Sequence, residues 1–176
     1  TDDSELIEQI KHELSVKHVL TVDVPALSGD DTGGHIDTLA RFINDSTIVY
    51  AACDDPDHPN HSCLLLLKTQ LEALTTRQGK PYQLIPLPLP KNLIELDQDT
   101  FAPASYVNFV FINGAIIVPM HDDEHDQIAL DTFIRACPDK KIIGINAMPL
   151  LKQYGSLHCA TLHLPENIIA HSNQEH

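Results

Sequence analysis

The chain has 176 residues and a formal net charge of −14 at pH 7. This length fits one ordinary domain with a real apolar core. The acidic charge argues against nucleic acid as a partner, because phosphate contacts need a basic face, and it is compatible with a small cationic ligand. No apolar run approaches the roughly 20 residues that cross a bilayer, and no secretory signal is visible, so we expect a cytoplasmic protein without a membrane partner.

The four cysteines, at positions 53, 63, 137 and 159, show no C-x-x-C pair and no regular spacing. A disulfide framework is typical of small secreted chains, for which this sequence shows no export signal. Reduced thiols in a cytosolic protein are therefore the better interpretation.

The first half of the chain predicts a mixture of helices and strands. Its elements, in order, are a helix over 4–14, a strand over 18–22, a flexible polar loop over 28–34, two strands over 36–43 and 47–51, and a helix over about 62–78. Asn44-Asp45-Ser46 joins the two strands in a hairpin-like connection.

The second half repeats this kind of architecture. Its elements are a strand over 83–87, an irregular exposed loop over 91–104, a hairpin over 107–112 and 115–119, a helix over about 124–136, a strand over 141–145, a helical turn over 147–151, and a segment over 155–161 that leads into a last strand. Asn113-Gly114 is the strongest local hairpin signal. The order predicts a mixed α/β fold of the α+β type with antiparallel hairpins.

One polar segment, residues 29–37, offers an imidazole and a carboxylate two positions apart. On a strand, His35 and Asp37 would leave the same face. A histidine beside a carboxylate suits a general acid, because the carboxylate favours the protonated imidazole. From spacing alone, a surface loop with incidental polar residues remains the alternative.

A second polar segment, residues 155–161, offers a thiol among small residues. On a strand, Cys159 would lie beside Leu157 and Thr161. The small residues Gly155 and Ser156 and the adjacent histidine distinguish it from the other three cysteines. The pattern is that of a cysteine nucleophile with a distant histidine, although an inert core thiol is the default for any one cysteine.

Two loops combine histidines with acidic residues, over 54–61 and 121–125. Neither has the fixed ligand spacing of a known metal motif. Helix capping and solvated loops explain both better, so neither a metal nor another cofactor is expected.

Three segments together resemble one family. They are G-D-D-T-G-G-H-I-D-T-L-A-R-F at 29–42, Y-V-N-F-V-F-I-N-G-A-I-I-V-P at 106–119 and G-S-L-H-C-A-T at 155–161. In order and spacing they resemble the agmatine deiminase and bacterial-type peptidylarginine deiminase family. The resemblance implies the pentein fold, a propeller of five mixed α/β units, of which this chain would supply two to three.

The resemblance also implies a mechanism. Cys159, as thiolate, would attack the guanidinium carbon, and His35 would protonate the departing ammonia and then activate the hydrolytic water. Asp37 would hold the guanidinium nitrogens through charge-assisted hydrogen bonds. Asn108 matches an asparagine near the site in relatives, and Asp31 of the first motif joins the expected substrate-binding residues.

Two departures from the family pattern stand out. The family commonly has Asp before the Gly-His pair, where this chain has Gly33. Family members are also about twice as long, and an earlier segment near a tryptophan supplies a second guanidinium-binding carboxylate; this chain has no tryptophan. Residues 1–176 are therefore expected to be the carboxyl-terminal portion of a deiminase catalytic domain, to need the amino-terminal half as a partner, and to turn over poorly alone. The sequence leaves open whether the protein forms a homo-oligomer.

The function that the resemblance implies is hydrolysis of agmatine to N-carbamoylputrescine and ammonia in putrescine biosynthesis. A peptidylarginine deiminase that produces citrulline is one alternative, and a non-catalytic guanidine-binding fragment is another. A cysteine hydrolase of amides fits less well, because a carboxylate at Asp37 suits a cation better than an oxyanion.

Overall fold

The computed structural model describes residues 3–30, 33–98 and 100–164, which fall into two compact units, Thr1–Leu87 and Pro88–His176. Each unit has a three-stranded sheet that begins with an antiparallel hairpin. None of the helices in these ranges has the length and apolar content that a membrane crossing requires.

The first unit packs one helix against its sheet. Its elements are α1 (Asp3–Glu13), α2 (Ile36–Leu39), β1 (Ala40–Asn44), β2 (Thr47–Ala52), α3 (His61–Ala73) and β3 (Gln83–Pro88). The strand order is β1-β2-β3, with β1 and β2 antiparallel. Leu64, Leu67 and Leu71 recur at helical spacing in α3 and are buried, so the core of this unit lies between α3 and the sheet.

The second unit combines a hairpin with a parallel strand. Its elements are β4 (Glu95–Asp97), β5 (Thr100–Phe101), β6 (Val110–Ile112), β7 (Ala115–Met120), α4 (Asp126–Ala136), β8 (Lys141–Asn146) and α5 (Met148–Leu151). β6 and β7 are antiparallel, and β8 returns parallel to β7 after α4. Phe133 of α4 is fully buried and contacts Phe109, so this βαβ crossover is packed on its sheet.

The predictions of the first helix, of both hairpins, of the helix over 124–136 and of the strands over 83–87 and 141–145 are confirmed, with shifts at their ends. The hairpin turn lies at Asn113-Gly114 as predicted, with Gly114 at φ 80°. Strand β1 begins four residues later than predicted, at Ala40, because residues 36–39 form α2. Strand β6 begins three residues later than predicted, at Val110.

The predicted strand over 18–22 is wrong, because this stretch has no strand partner in the described residues. The segment is instead tied to α3 at its end. Gln70 accepts the Asp23 backbone N–H at 2.7 Å and donates to the Asp23 carbonyl at 2.6 Å. An alternating pattern cannot distinguish this side-chain anchoring from a sheet ladder.

Two further predictions are corrected. Helix α3 ends at Ala73 and not near Gln78, because Leu74 turns to an extended backbone and Thr75 then pairs with Pro81. The predicted exposed loop over 91–104 contains the short hairpin β4–β5, and Ala102 and Ala104 are buried in a small apolar cluster.

Candidate active site

The segment around Cys159 forms consecutive turns, so Cys159 does not lie on a strand beside Leu157 and Thr161. The last strand that this segment was predicted to lead into falls largely outside the described residues. The Ala160 N–H donates to the Ser156 carbonyl at 3.1 Å. Thr161 donates to the His158 carbonyl through its backbone N–H at 3.0 Å and through Oγ1 at 2.9 Å. These local hydrogen bonds replace a strand ladder and leave Cys159 exposed.

Asn108 connects this turn to the core of the second unit. The residue is 1 % exposed, and its Oδ1 accepts the backbone N–H of His158 at 2.8 Å and that of Cys159 at 3.4 Å. Its Nδ2 donates to Cys159 Sγ at 3.4 Å. The thiol also lies 3.6 Å from Asn108 Oδ1. One buried amide therefore both holds the turn and contacts the sulfur.

The other three cysteines are poorer nucleophile candidates. Burial raises the pKa of the Cys53, Cys63 and Cys137 thiols, which disfavours their thiolate forms. Because the thiolate is the reactive species, these thiols are the less reactive ones. The exposed Cys159 with its amide donor is the best placed of the four.

His35 and Asp37 lie in the first unit, at the start of α2 and not on a strand as predicted. Thr38 sets this turn by donating its N–H at 3.1 Å and its Oγ1 at 2.7 Å to the His35 carbonyl. The preceding Gly33 and Gly34 adopt left-handed φ angles of 87° and 98°, which favour glycine. His35 is exposed and Asp37 is half-buried.

Asp31, the remaining expected substrate-binding residue, lies outside the described residues. The structure therefore brings together Asn108 and Cys159 in the second unit and places His35 and Asp37 on one turn of the first.

Three of the four histidines in the two histidine loops use their imidazoles for backbone hydrogen bonds. His61 Nδ1 bonds to the Cys53 carbonyl at 2.9 Å, and His125 Nδ1 bonds to the Leu89 carbonyl at 2.7 Å. His58 Nδ1 accepts the Asn60 N–H at 3.1 Å. Within the part of the chain that the structure describes, no three His, Cys, Asp or Glu side chains are grouped to hold a metal ion.

Sequence reasoning did not single out Tyr106 and Asp126, and it considered His121 only as a metal ligand. The Tyr106 hydroxyl donates to Asp126 Oδ1 at 2.8 Å, and its ring contacts the buried His121 edge-on. The position of Tyr106, two residues before Asn108 in the second motif, was the only available signal.

Comparison with known proteins gives the family. The model described as Porphyromonas-type peptidyl-arginine deiminase matches residues 1–165. The chain belongs to this family. The resemblance seen in the three sequence segments is thereby confirmed.

Solved relatives agree in fold. One solved structure is that of a Porphyromonas gingivalis protein provisionally named arginine deiminase. It is 43 % identical to this chain, with a TM-score of 0.89, and the match covers 94 % of this chain and 48 % of that chain. A cysteine-to-serine variant of C. jejuni agmatine deiminase with substrate bound is 36 % identical, with a TM-score of 0.82 over 91 % of this chain and 46 % of that chain. The predicted mixed α/β fold of the pentein class is confirmed by these neighbours.

A curated relative shows the same partial coverage. A Vibrio parahaemolyticus protein, provisionally named agmatine deiminase, is 28 % identical over 177 residues, covering 92 % of this chain and 49 % of that protein. The chain thus spans about half the length of the relatives it matches.

Proposed function

We propose that the protein containing this chain hydrolyses a guanidine group, with Cys159 as nucleophile. The observation that carries the proposal is the contact of the exposed Cys159 with the buried Asn108, in a chain of the peptidyl-arginine deiminase family. The substrate complex of the C. jejuni relative, obtained in a variant with one cysteine replaced by serine, supports a cysteine in this chemistry.

In the proposed reaction, the Cys159 thiolate forms a bond to the guanidinium carbon. His35, as imidazolium, gives its proton to the departing nitrogen, and the carbon–nitrogen bond breaks to release ammonia. The neutral His35 then takes a proton from water as the water attacks the same carbon. The carbon–sulfur bond breaks, which regenerates the thiolate and leaves the urea product.

We assign Asp37, with Asp31, to binding the guanidinium cation. A carboxylate accepts two parallel N–H donors from a guanidinium, so it both orients the group and compensates its charge. The net charge of −14 supports attraction of a cationic substrate over longer distances. Asn108 is assigned to holding Cys159 through the contacts described above.

The first proposed substrate is agmatine, which would yield N-carbamoylputrescine for putrescine biosynthesis. The agmatine deiminases among the solved and curated relatives support it. Arginine in a peptide is the second candidate, supported by the description of the family and by the 43 % identical arginine deiminase.

The test measures ammonia release by the full protein from agmatine and from an arginine peptide with blocked ends. Preference for agmatine is expected, and the opposite preference would select the peptidyl-arginine reaction. Calorimetric binding of agmatine without ammonia release would instead favour a non-catalytic guanidine-binding protein and overturn the proposal.

A further inference from the structure

Asp126 accepts three hydrogen bonds at the start of α4. Its Oδ1 accepts the Tyr106 hydroxyl at 2.8 Å and the His121 N–H at 2.9 Å, and its Oδ2 accepts the Asp123 N–H at 3.3 Å. As the first residue of an 11-residue helix, this carboxylate is also stabilised by the helix dipole. Tyr106 is thereby fixed to the β7–α4 connection.

The tyrosine is enclosed as well as hydrogen-bonded. Tyr106 is fully buried, and its ring centroid lies 4.8 Å from that of His121, at an interplanar angle of 63°. In the described part of the chain, neither ring nitrogen of His121 has a hydrogen-bond partner. Burial lowers the pKa of His121 to about 4, so at neutral pH the imidazole is uncharged and acts on Tyr106 by packing.

A short turn connects Tyr106 to Asn108. The Val107 N–H donates to Ser105 Oγ at 3.2 Å, and the Asn108 N–H donates to the Ser105 carbonyl at 3.2 Å. Both residues are buried, so a displacement of Tyr106 moves the backbone that carries the Asn108 side chain.

We propose that Tyr106 is a positioning residue for Cys159. Its hydroxyl, held by Asp126, fixes the turn that presents the Asn108 amide, and the amide sets the orientation of the Cys159 thiol. The inference rests on the proposed role of Cys159 as nucleophile. A tyrosine that only fills the core would support stability without acting through Asn108.

The experiment measures the rate at which iodoacetamide alkylates Cys159 at pH 7 in the full protein, read from the mass of the Cys159 peptide. This readout needs no turnover, so its failure is distinguishable from failure of the proposed function. Tyr106→Phe keeps the ring and loses the hydroxyl; we expect alkylation to slow by about 3- to 10-fold, the effect of one hydrogen bond. Asn108→Ala is expected to slow it by at least as much.

The double variant Tyr106→Phe/Asn108→Ala decides whether Tyr106 acts through Asn108. If it does, the double variant reacts at the rate of Asn108→Ala alone, because Tyr106→Phe can no longer displace an Asn108 amide that is already absent. Independent, multiplying effects would overturn the proposal, as would an unchanged rate in Tyr106→Phe.

Three variants separate positioning from stability. Tyr154→Phe removes the hydroxyl of an exposed tyrosine five residues from Cys159 and is expected to change nothing. Phe133→Leu loosens the same core and is expected to lower the melting temperature without slowing alkylation. Asp126→Ala removes the acceptor of the Tyr106 hydroxyl, so it is expected to slow alkylation about as much as Tyr106→Phe does; a rate equal to that of the parent would contradict the proposal.

Discussion

The two units support their candidate catalytic residues in different ways. In the second unit, a buried asparagine holds both the backbone and the sulfur of the nucleophile turn. In the first unit, His35 is exposed at the start of a four-residue helix, behind two glycines with left-handed backbone. The proposed nucleophile is thus held by one core side chain, whereas the proposed proton carrier is placed by backbone conformation at the surface.

The largest expected effect is that of Cys159→Ala in the full protein. Loss of the nucleophile should reduce ammonia release by on the order of 10³-fold or more, because the covalent route is removed. The far-ultraviolet circular dichroism should stay unchanged, since Cys159 is exposed.

Cys63→Ala is the matched control, because burial raises the pKa of that thiol and disfavours its reactive form. Turnover should persist in this variant. Full activity in Cys159→Ala would show that Cys159 is not the nucleophile, and the difference drawn between the two units would then not concern catalysis.

The next effect is that of Asn108→Leu on stability. The substitution keeps the branched shape of the side chain but removes the Oδ1 that accepts the His158 and Cys159 N–H groups. The His158 N–H keeps its second acceptor, the backbone carbonyl of residue 108, at 3.2 Å. We expect a loss of about 2 kcal/mol in the free energy of unfolding, measured by urea denaturation. Asn92→Leu, at an exposed asparagine, should change it by less than about 0.5 kcal/mol; equal losses in both variants would show that Asn108 does not anchor the turn.

His121 should make the stability of the second unit depend on pH, with an effect on the free energy of unfolding that is at most comparable to that of Asn108→Leu. Its pKa is lowered from 6.5 to about 4, mainly by burial and against the nearby carboxylates of Asp126, Asp123 and Asp122. Between these values the unfolded chain binds a proton at this histidine and the folded chain does not. Stability should therefore fall as pH decreases from about 6.5 to 4, by up to about 3 kcal/mol.

The measurement compares urea unfolding of the parent and of His121→Gln across this pH range. The difference isolates His121, because the carboxylates titrate in both proteins. The variant should show a flatter dependence even if it is less stable throughout. Parallel curves would mean that His121 is not buried as the structure has it.

The smallest effect concerns Gly33, where the family commonly has Asp. An added Cβ would meet no atom within 4 Å, so the cost of Gly33→Asp is only that of φ 87° for a residue with a side chain. We expect a loss of about 1 kcal/mol, with a somewhat larger loss for Gly33→Ala, because Asp tolerates left-handed backbone better. Thermal unfolding measures both, and a loss above about 3 kcal/mol would show that backbone strain is not the main cost.

Local pattern was enough to predict much of the fold. Apolar spacing predicted α4, and Asn113-Gly114 predicted the hairpin of β6 and β7, because these signals act within a few residues. The anchoring of Asp23 by Gln70 joins residues 47 positions apart. A propensity argument has no access to such partners.

The candidate site shows the same limit. Spacing alone suggested a thiol and an imidazole, but it placed both at strand positions where the structure has the start of α2 and a run of turns. The contact of Asn108 with Cys159 joins residues 51 positions apart, and only the family resemblance pointed to that asparagine. The support from Tyr106, His121 and Asp126 required the packed structure, since burial decides what these side chains do.

The most direct test of the central claim is to trap the covalent intermediate. The full protein is mixed with agmatine, quenched in acid within its turnover time, digested, and measured by mass spectrometry. We predict an adduct on the Cys159 peptide with the mass of agmatine less ammonia. The adduct should be absent in Cys159→Ala and should form more slowly in His35→Ala, which lacks the proton donor for the departing nitrogen. An adduct on Cys53, Cys63 or Cys137, or steady turnover by Cys159→Ala, would contradict the account.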